Sequence, residues 1–226
     1  MNPEQRNTEV EASNTPASET TETTNGNAAK GTGGRAYKEI VEWIKALAIA
    51  IILVFVIRQF LFSPFIVEGP SMEPNFVTGE RVIVNKLLFN IREPKHGEVV
   101  VFHVPDQGRD FIKRVIALPG ETIRVDGDDV FVNDQKIEEP YIKEAIEAAH
   151  AEGRLYNEEN NNSNYPNELN TEVTVPEGYI FAMGDHRNNS QDSRQIGFIS
   201  EKELIGRADV IFWPVNKLSF IKHDYN

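Results

Sequence analysis

Two residues about forty positions apart, Ser71 and Lys113, have the side chains that covalent catalysis without histidine requires. Ser71 lies in Gly69-Pro70-Ser71-Met72-Glu73-Pro74. Pro70 fixes its own φ and biases Gly69 toward an extended conformation, and Pro74 restricts Glu73, so the turn holds one hydroxyl rigidly. Gly69 leaves room for a peptide backbone to approach. A serine so placed can be a nucleophile, and it can equally be a turn residue. Lys113 lies in Phe111-Ile112-Lys113-Arg114-Val115. A free lysine, with a pKa of about 10.4, is protonated at neutral pH and cannot accept a proton. Burial penalises the ammonium and can bring lysine into the range of about 7–8 that a general base needs. Strand alternation puts Lys113 on one face with Phe111, Val115 and Ala117, but the face of Ile112, Ile116 and Leu118 is apolar too. Alternation therefore leaves two readings open: a buried base, or a lysine whose stem packs while its ammonium reaches water.

The third polar segment is Met183-Gly184-Asp185-His186-Arg187-Asn188-Asn189-Ser190-Gln191-Asp192-Ser193-Arg194, directly after a strand-like run. It is either a solvated surface loop or a partly buried one that must satisfy its own hydrogen bonds. Taken together, the turn around Ser71, the run Lys113–Glu121 and the loop Gly184–Arg194 resemble the three conserved boxes of the type I signal peptidases. These are membrane-bound serine/lysine endopeptidases, and the chain is most similar to the Gram-positive form over roughly residues 43–222. The resemblance implies Ser71 as nucleophile, Lys113 as general base and Ser190 as the hydroxyl that orients the amine. It implies Asp192 and Arg194 as a pair bracing the loop, with Asp185 and Arg114 as support. Specificity would be for small residues one and three positions before the cut, in shallow pockets lined by Phe65, Val67, Met72, Phe111 and Ile112. The substrate would add as an extended strand along Phe65–Gly69.

Two positions depart from the family pattern. His186 and Asn188 stand where the usual loop has Asn and Asp, and His186 beside Asp185 invites a Ser-His-Asp reading. It is read here as a tolerated substitution outside the proton relay. Gly69 stands where some relatives carry a serine that donates to the oxyanion, leaving the Ser71 N–H and an unnamed second donor. A missing donor costs about 2.7–4 kcal/mol in other hydrolases.

The elements that must position these residues follow from composition. Residues 1–29 contain no Phe, Trp, Tyr, Ile or Leu and carry five Glu against one Arg, the pattern of a disordered tail, expected to extend to residue 42 through a Gly-rich linker. Ala46–Ile57 is an unbroken apolar run of twelve residues, and extension to 43–62 gives twenty, enough at about 1.5 Å per residue for one transmembrane helix. Trp43, Lys45 and Arg58 suit its interfaces. No small-x-small cleavage site follows it, so a retained anchor is expected rather than a cleaved signal peptide. Lys30, Arg35, Lys38 and Lys45 precede or begin this run, whereas residues 63–82 hold only Arg81. The positive-inside rule then puts the N-terminus in the cytoplasm and the catalytic part outside the cell membrane.

Of the net charge of −12, the part beyond residue 58 carries −11, which argues against a nucleic-acid partner. The absence of cysteine excludes disulfides and a thiol nucleophile. The five histidines show no metal-ligand spacing, and no metal or cofactor is expected. Short Val-, Ile- and Phe-rich runs at 65–67, 81–84, 98–104, 111–118, 122–125, 130–133, 179–183 and 207–213 predict a mainly β fold. The expected architecture is an antiparallel-sheet or barrel-like catalytic core (63–122 and 174–226) with a smaller inserted subdomain (123–173). The insert should contain a hairpin at Asp126-Gly127, a short helix at Ile142–His150 and a loop, Tyr156–Asn170, with seven asparagines. The expected partners are exported preproteins and membrane lipid, with the oligomeric state left open. Two other function classes stay open: a catalytically silent membrane-anchored interaction protein, and a Ser-His-Asp hydrolase using His186 or His103.

Overall fold

The computed structural model describes residues 32–157 and 164–223. The expected tail up to residue 31 and positions 158–163 of the asparagine-rich loop lie outside the described residues. Helix α1 (Thr32–Val56) begins before the apolar run, so positions 32–42, expected as tail, are helical. Residues 36–45 contain no Gly or Pro to interrupt it. After Val56 the chain makes a π-helical turn, Ile57–Leu61, and Phe62 is already the first residue of strand β1 (Phe62–Ile66). No helix among the described residues is long and apolar enough to cross a membrane. The apolar run rises only about 18 Å against a hydrocarbon core of about 30 Å, and the last turns before it carry Glu39, Glu42 and Lys45. The apolar side chains of α1 are nevertheless uncovered: Trp43, before the run, is 77% exposed, and Leu47, Ile51 and Phe55 within it are exposed too. The chain divides into two units within α1, after Ala48.

The second unit is built on β1, β2 (Arg81–Asn85), β3 (Val99–Val104), β4 (Arg109–Ala117), β5 (Ile123–Asp126), β6 (Asp129–Val132) and β7 (Gln135–Lys136). Helix α2 (Lys143–Ala151), β8 (Tyr179–Met183), the one-turn α3 (Ser193–Ile196), β9 (Ile199–Ser200), β10 (Leu204–Trp213) and β11 (Ser219–Phe220) follow. One antiparallel sheet runs β1-β2-β10-β3-β4-β8-β9, with β11 added on β10. It is an open path among the described residues, with β1 and β9 at its ends. A second sheet, β5-β6-β7, falls with α2 inside the stretch expected as an insert. The expected hairpin turns on Gly127 and Asp128, with Gly127 at φ +56°, which a tight turn needs.

Two features of the large sheet prepare the site. First, β3 is buried on both faces: Val99 and Val101 pack with Val67, Met72, Phe76 and Ile112, whereas Val100, Phe102 and Val104 pack with Val115, Ile180 and Ala182. Its neighbour β4 inherits that burial from Ile112 onward. Second, two strand edges are left open. Val67 N donates to Glu80 O at 2.8 Å and Lys86 N to Leu61 O at 2.9 Å, so the odd-numbered residues of β1 bond β2 and the even-numbered ones face the free edge. Pro64, which has no N–H, falls at an even position and costs the ladder nothing. Strand β4 pairs with β8 only from Arg114 onward, so Arg109–Lys113 has β3 on one side and an open edge on the other.

Strand β10 passes so close to β2 that a Cβ on Gly206 would lie 2.4 Å from Asn85 O. Backbone cannot yield there as a flexible side chain would. Gly206→Ala is expected to destabilise the fold by about 1–3 kcal/mol, read as a lowered midpoint in chemical denaturation.

Candidate active site

The open edges of β1 and β4 face one another across a cleft of about 500 Å³, lined by Phe65, Ile66, Glu68, Gly69 and Ser71 on one side and Arg109–Lys113 on the other, with Gln191 from the polar loop. Sequence reasoning placed Phe65, Gly69, Phe111 and Ile112 on this surface, and they line it. It placed Val67 and Met72 there too. Both instead sit in the core cluster with Phe76 and Ile112, fully buried and absent from the cleft lining.

Ser71 and Lys113 meet within the cleft. Lys113 Nζ lies 2.6 Å from Ser71 Oγ and donates to Ile112 O at 2.9 Å. The lysine is 3% exposed, with Nζ 5.1 Å from the centre of the Phe111 ring. Burial lowers its pKa from the usual 10.5 to about 8; the nearby Asp192 and Asp185 carboxylates oppose this shift, and Arg194 and Arg109 reinforce it. Of the two readings that alternation left open, the buried amine is the one adopted.

The loop after β8 supplies the surroundings. Asp185 receives a two-pronged bond from Arg114 (Nε–Oδ1 2.9 Å, Nη2–Oδ2 2.7 Å) and another from Asn75 Nδ2 at 2.8 Å. Asp192 receives Arg194 Nε at 2.9 Å, Arg194 Nη2 at 2.8 Å and the Gly184 N–H at 2.9 Å. Burial alone would raise the Asp192 pKa, but the Arg194 charge and these hydrogen bonds hold it below the ordinary carboxylate value. Gly184 is where the loop meets the Ser71 turn: a Cβ there would stand 2.2 Å from Ser190 Oγ and 2.4 Å from Ser71 O. Ser190 is thus brought beside the turn. Its hydroxyl is buried beside the Asp192 carboxylate, which it helps to keep ionised, and Nζ makes its bonds to Ser71 and Ile112 rather than to Ser190.

His186 approaches the turn from the loop. Its N–H donates to Ser71 O at 3.1 Å, and Nδ1 lies 3.1 Å from Pro70 O. It therefore touches main-chain carbonyls and not Ser71 Oγ, while the Asp185 carboxylate is taken by Arg114 and Asn75. His103 pairs with Asp110 at 2.7 Å. Among the described residues no histidine is hydrogen-bonded to Ser71 Oγ, and the Ser-His-Asp reading finds no geometry here.

Several supporting residues had no signal of their own in the sequence. Arg187 forms a buried pair with Glu139 (Nη1–Oε2 2.9 Å), which also accepts from Tyr141 OH. The Tyr141 ring lies 4.0 Å from the Arg114 guanidinium carbon. The asparagine-rich loop holds Arg194 by side chain and backbone: Asn157 Oδ1 accepts from Arg194 Nη1 at 2.7 Å, and Asn167 Nδ2 donates to Arg194 O at 2.9 Å. A buried arginine pair announces itself only when its partner is known to be near, and Glu139 is 48 residues from Arg187.

The profile of the family described as "Signal peptidase, peptidase S26" matches residues 40–213. Signal peptidase I P of Bacillus subtilis subsp. natto is 36% identical over 83% of this chain and 97% of its own length. Signal peptidase I of Bacillus licheniformis is 37% identical over 79% and 91%. A crystal structure of a signal peptidase I from Enterococcus faecalis V583 is 32% identical, with TM-score 0.42, over 52% of this chain and 97% of that one.

The buried amine has a stability consequence. The unfolded chain holds the Lys113 proton up to about pH 10.5 and the folded chain only to about 8. The folded state therefore gains stability as pH rises through that window, and at pH 7 it carries a penalty of about 3 kcal/mol. Lys113→Met is expected to stabilise the protein by up to about 3 kcal/mol at pH 7 and by only about 1 kcal/mol at pH 10, in denaturant unfolding at the two pH values. An equal gain at both would contradict the assignment.

Proposed function

Since the chain belongs to the signal peptidase family, peptidase S26, and is a type I signal peptidase, a peptide-bond hydrolase of the serine class, we propose that it cleaves preproteins with Ser71 as nucleophile and Lys113 as general base, from a membrane anchor. The 2.6 Å contact between Nζ and Oγ, made by an amine whose pKa burial lowers to about 8, carries the reading. In the first step Oγ attacks the scissile carbonyl while Nζ takes the hydroxyl proton. Collapse of the tetrahedral adduct breaks the C–N bond, and Nζ returns the proton to the departing amine. Nζ then deprotonates the water that hydrolyses the acyl-enzyme. The Ser71 N–H supplies one donor to the oxyanion; the turn's own bonds, Glu73 N to Pro70 O and Phe76 N to Met72 O, do not use it. Gly69 adds no side-chain donor, and its φ of +80° is one that a serine there would adopt only under strain. Ser190, whose buried hydroxyl stands with the Ser71 turn against Gly184, is assigned to hold the amine once Oγ is acylated. Asp185–Arg114 and Asp192–Arg194 hold the loop in place.

The substrate would enter as a strand between the open edges of β1 and β4, recognised by its backbone, with small side chains fitting against Phe65, Phe111 and Ile112. The exposed apolar side chains of α1 would be covered by lipid. From Trp43 to Leu61 the helical path through α1 and the π turn carries only Lys45 and Arg58 as charges, both placed to snorkel. The cluster Lys30, Arg35, Lys38 and Lys45 would face the cytoplasm, with the catalytic unit outside. Anchoring matters chemically, because a preprotein's own apolar segment lies in the same bilayer and two-dimensional confinement raises the encounter frequency.

With the full chain in detergent and a preprotein carrying alanine one and three positions before the cut, Ser71→Ala and Lys113→Ala are each expected to abolish cleavage. Full activity in Lys113→Ala would sink the serine/lysine mechanism, and no turnover by the intact chain would favour a silent interaction protein. Because the Lys113 pKa is lowered to about 8, the neutral base is the minor form at pH 7 and dominant above about 9. Single-turnover rates should climb through that range and then level, and a flat profile there would count against the assignment.

A further inference from the structure

The geometry points to His186 as a positioning residue that aims the Ser71 N–H at the oxyanion, an inference that rests on the proposed roles of Ser71 and its N–H. A peptide unit is planar and trans, so the Pro70 carbonyl and the Ser71 N–H belong to one rigid plate and point in opposite directions. Whatever fixes the carbonyl fixes the N–H. Pro70 O accepts twice: from Glu73 N at 3.0 Å, within the turn, and from His186 Nδ1 at 3.1 Å, from the far loop. A carbonyl oxygen only accepts, so Nδ1 carries the proton in this contact. The next plate is held by the same residue, since His186 N donates to Ser71 O at 3.1 Å. One residue thereby grips two successive carbonyls of the nucleophile turn. The turn bond alone leaves the first plate a single pivot, and the imidazole adds a second point that stops it rocking.

The imidazole is itself held. Its ring lies parallel to Tyr156, with centroids 6.3 Å apart and planes inclined by 11°. The Tyr156 hydroxyl donates to Asp185 O, the carbonyl just before His186, at 3.0 Å. A hydrogen bond accepted at Pro70 O also polarises the plate, leaving the Ser71 N–H a stronger donor. The interaction grows as negative charge develops on the substrate oxygen, so its loss should appear in kcat rather than KM.

The test uses full-length protein in detergent micelles, three variants and two ligands. His186→Ala and His186→Phe remove the donor, and Phe keeps a ring over Tyr156; His186→Asn restores an N–H donor. Ala and Phe are both expected to lower kcat about tenfold with KM within about twofold, and Asn to recover most of it. A peptide aldehyde ending in alanine adds through its carbonyl carbon to Ser71 Oγ, the serine proton passing by way of Lys113 to the new hemiacetal oxygen. Its affinity should fall in His186→Ala and His186→Phe by about the factor lost in kcat, while the affinity of the cleaved product peptide stays constant. Wild-type-like kcat and aldehyde affinity in His186→Phe, or losses confined to KM, would overturn the assignment while leaving Ser71 as nucleophile. Equal aldehyde affinity in wild type and Ser71→Ala would overturn the nucleophile reading and this inference with it.

Discussion

An amine buried inside a sheet is costly when charged and basic when neutral, and the surroundings of Lys113 turn on that one constraint. Desolvation pushes the side chain toward the neutral form, but two carboxylates nearby, Asp185 and Asp192, would draw the proton back. Each is already engaged by a guanidinium of its own: Arg114 on Asp185 and Arg194 on Asp192, both pairs fully buried. Buried pairs of this kind do not obviously stabilise a fold, since desolvation consumes most of the attraction. Their place here is easier to understand as protection of a neutral amine. Remove either arginine, and an uncompensated carboxylate would stand close to Lys113 and favour its charged form.

The same constraint explains the polar network beneath the cleft. Charged groups at low dielectric must be satisfied on every side, or the site deforms to find partners. Arg187 is neutralised by Glu139 from the segment before α2, and Arg194 reaches Asn157, whose own amide donates to Gly127 O at 2.7 Å in the β5–β6 turn. The Asn157 N–H is taken by Asp128 at 2.9 Å. The small β5-β6-β7 sheet is therefore coupled to the loop after β8 through hydrogen bonds as well as through the packing of Ile123, Val125 and Val130 on Ile116 and Met183. Among the described residues, the asparagines at 157, 164, 167 and 170 serve as adaptable donors and acceptors for backbone groups that no regular element satisfies.

How much of this could be read beforehand follows from which physics is local. The hairpin at Gly127, the helix after Ile142 and the eight longer strands were legible within a few residues, because turn chemistry and β-branched runs act over short windows. The two-residue strands β7, β9 and β11 were not, being defined by partners rather than by their own sequence. The start of β1 was hidden because Phe62 continues an apolar run that reads as helix, and Pro64 discourages a strand unless its edge is known to be free. Lys113 shows the limit most plainly. Alternation identifies an inward position only when one face is wet, and β4 is buried on both. Val67 and Met72 were misplaced for the same reason, since residues flanking a nucleophile are as apt to anchor its turn in the core as to touch a ligand.

The two open strand edges complete the physical picture. An exposed edge is ordinarily a liability, a row of unpaired amides that invites aggregation. Here β1 offers only a short one, interrupted by Pro64, and faces the unpaired half of β4 across the cleft. A peptide bound between them would gain main-chain hydrogen bonds whatever its sequence, so selectivity must come from shape. Phe65 and Phe111 are partly buried against core clusters, one of which includes Ile112. In the proposed reading, tolerance of diverse sequence and preference for small residues would be one property of the same surface. The proposed preference for alanine would rest on Phe65, Phe111 and Ile112, side chains that the hydrophobic core holds along the cleft.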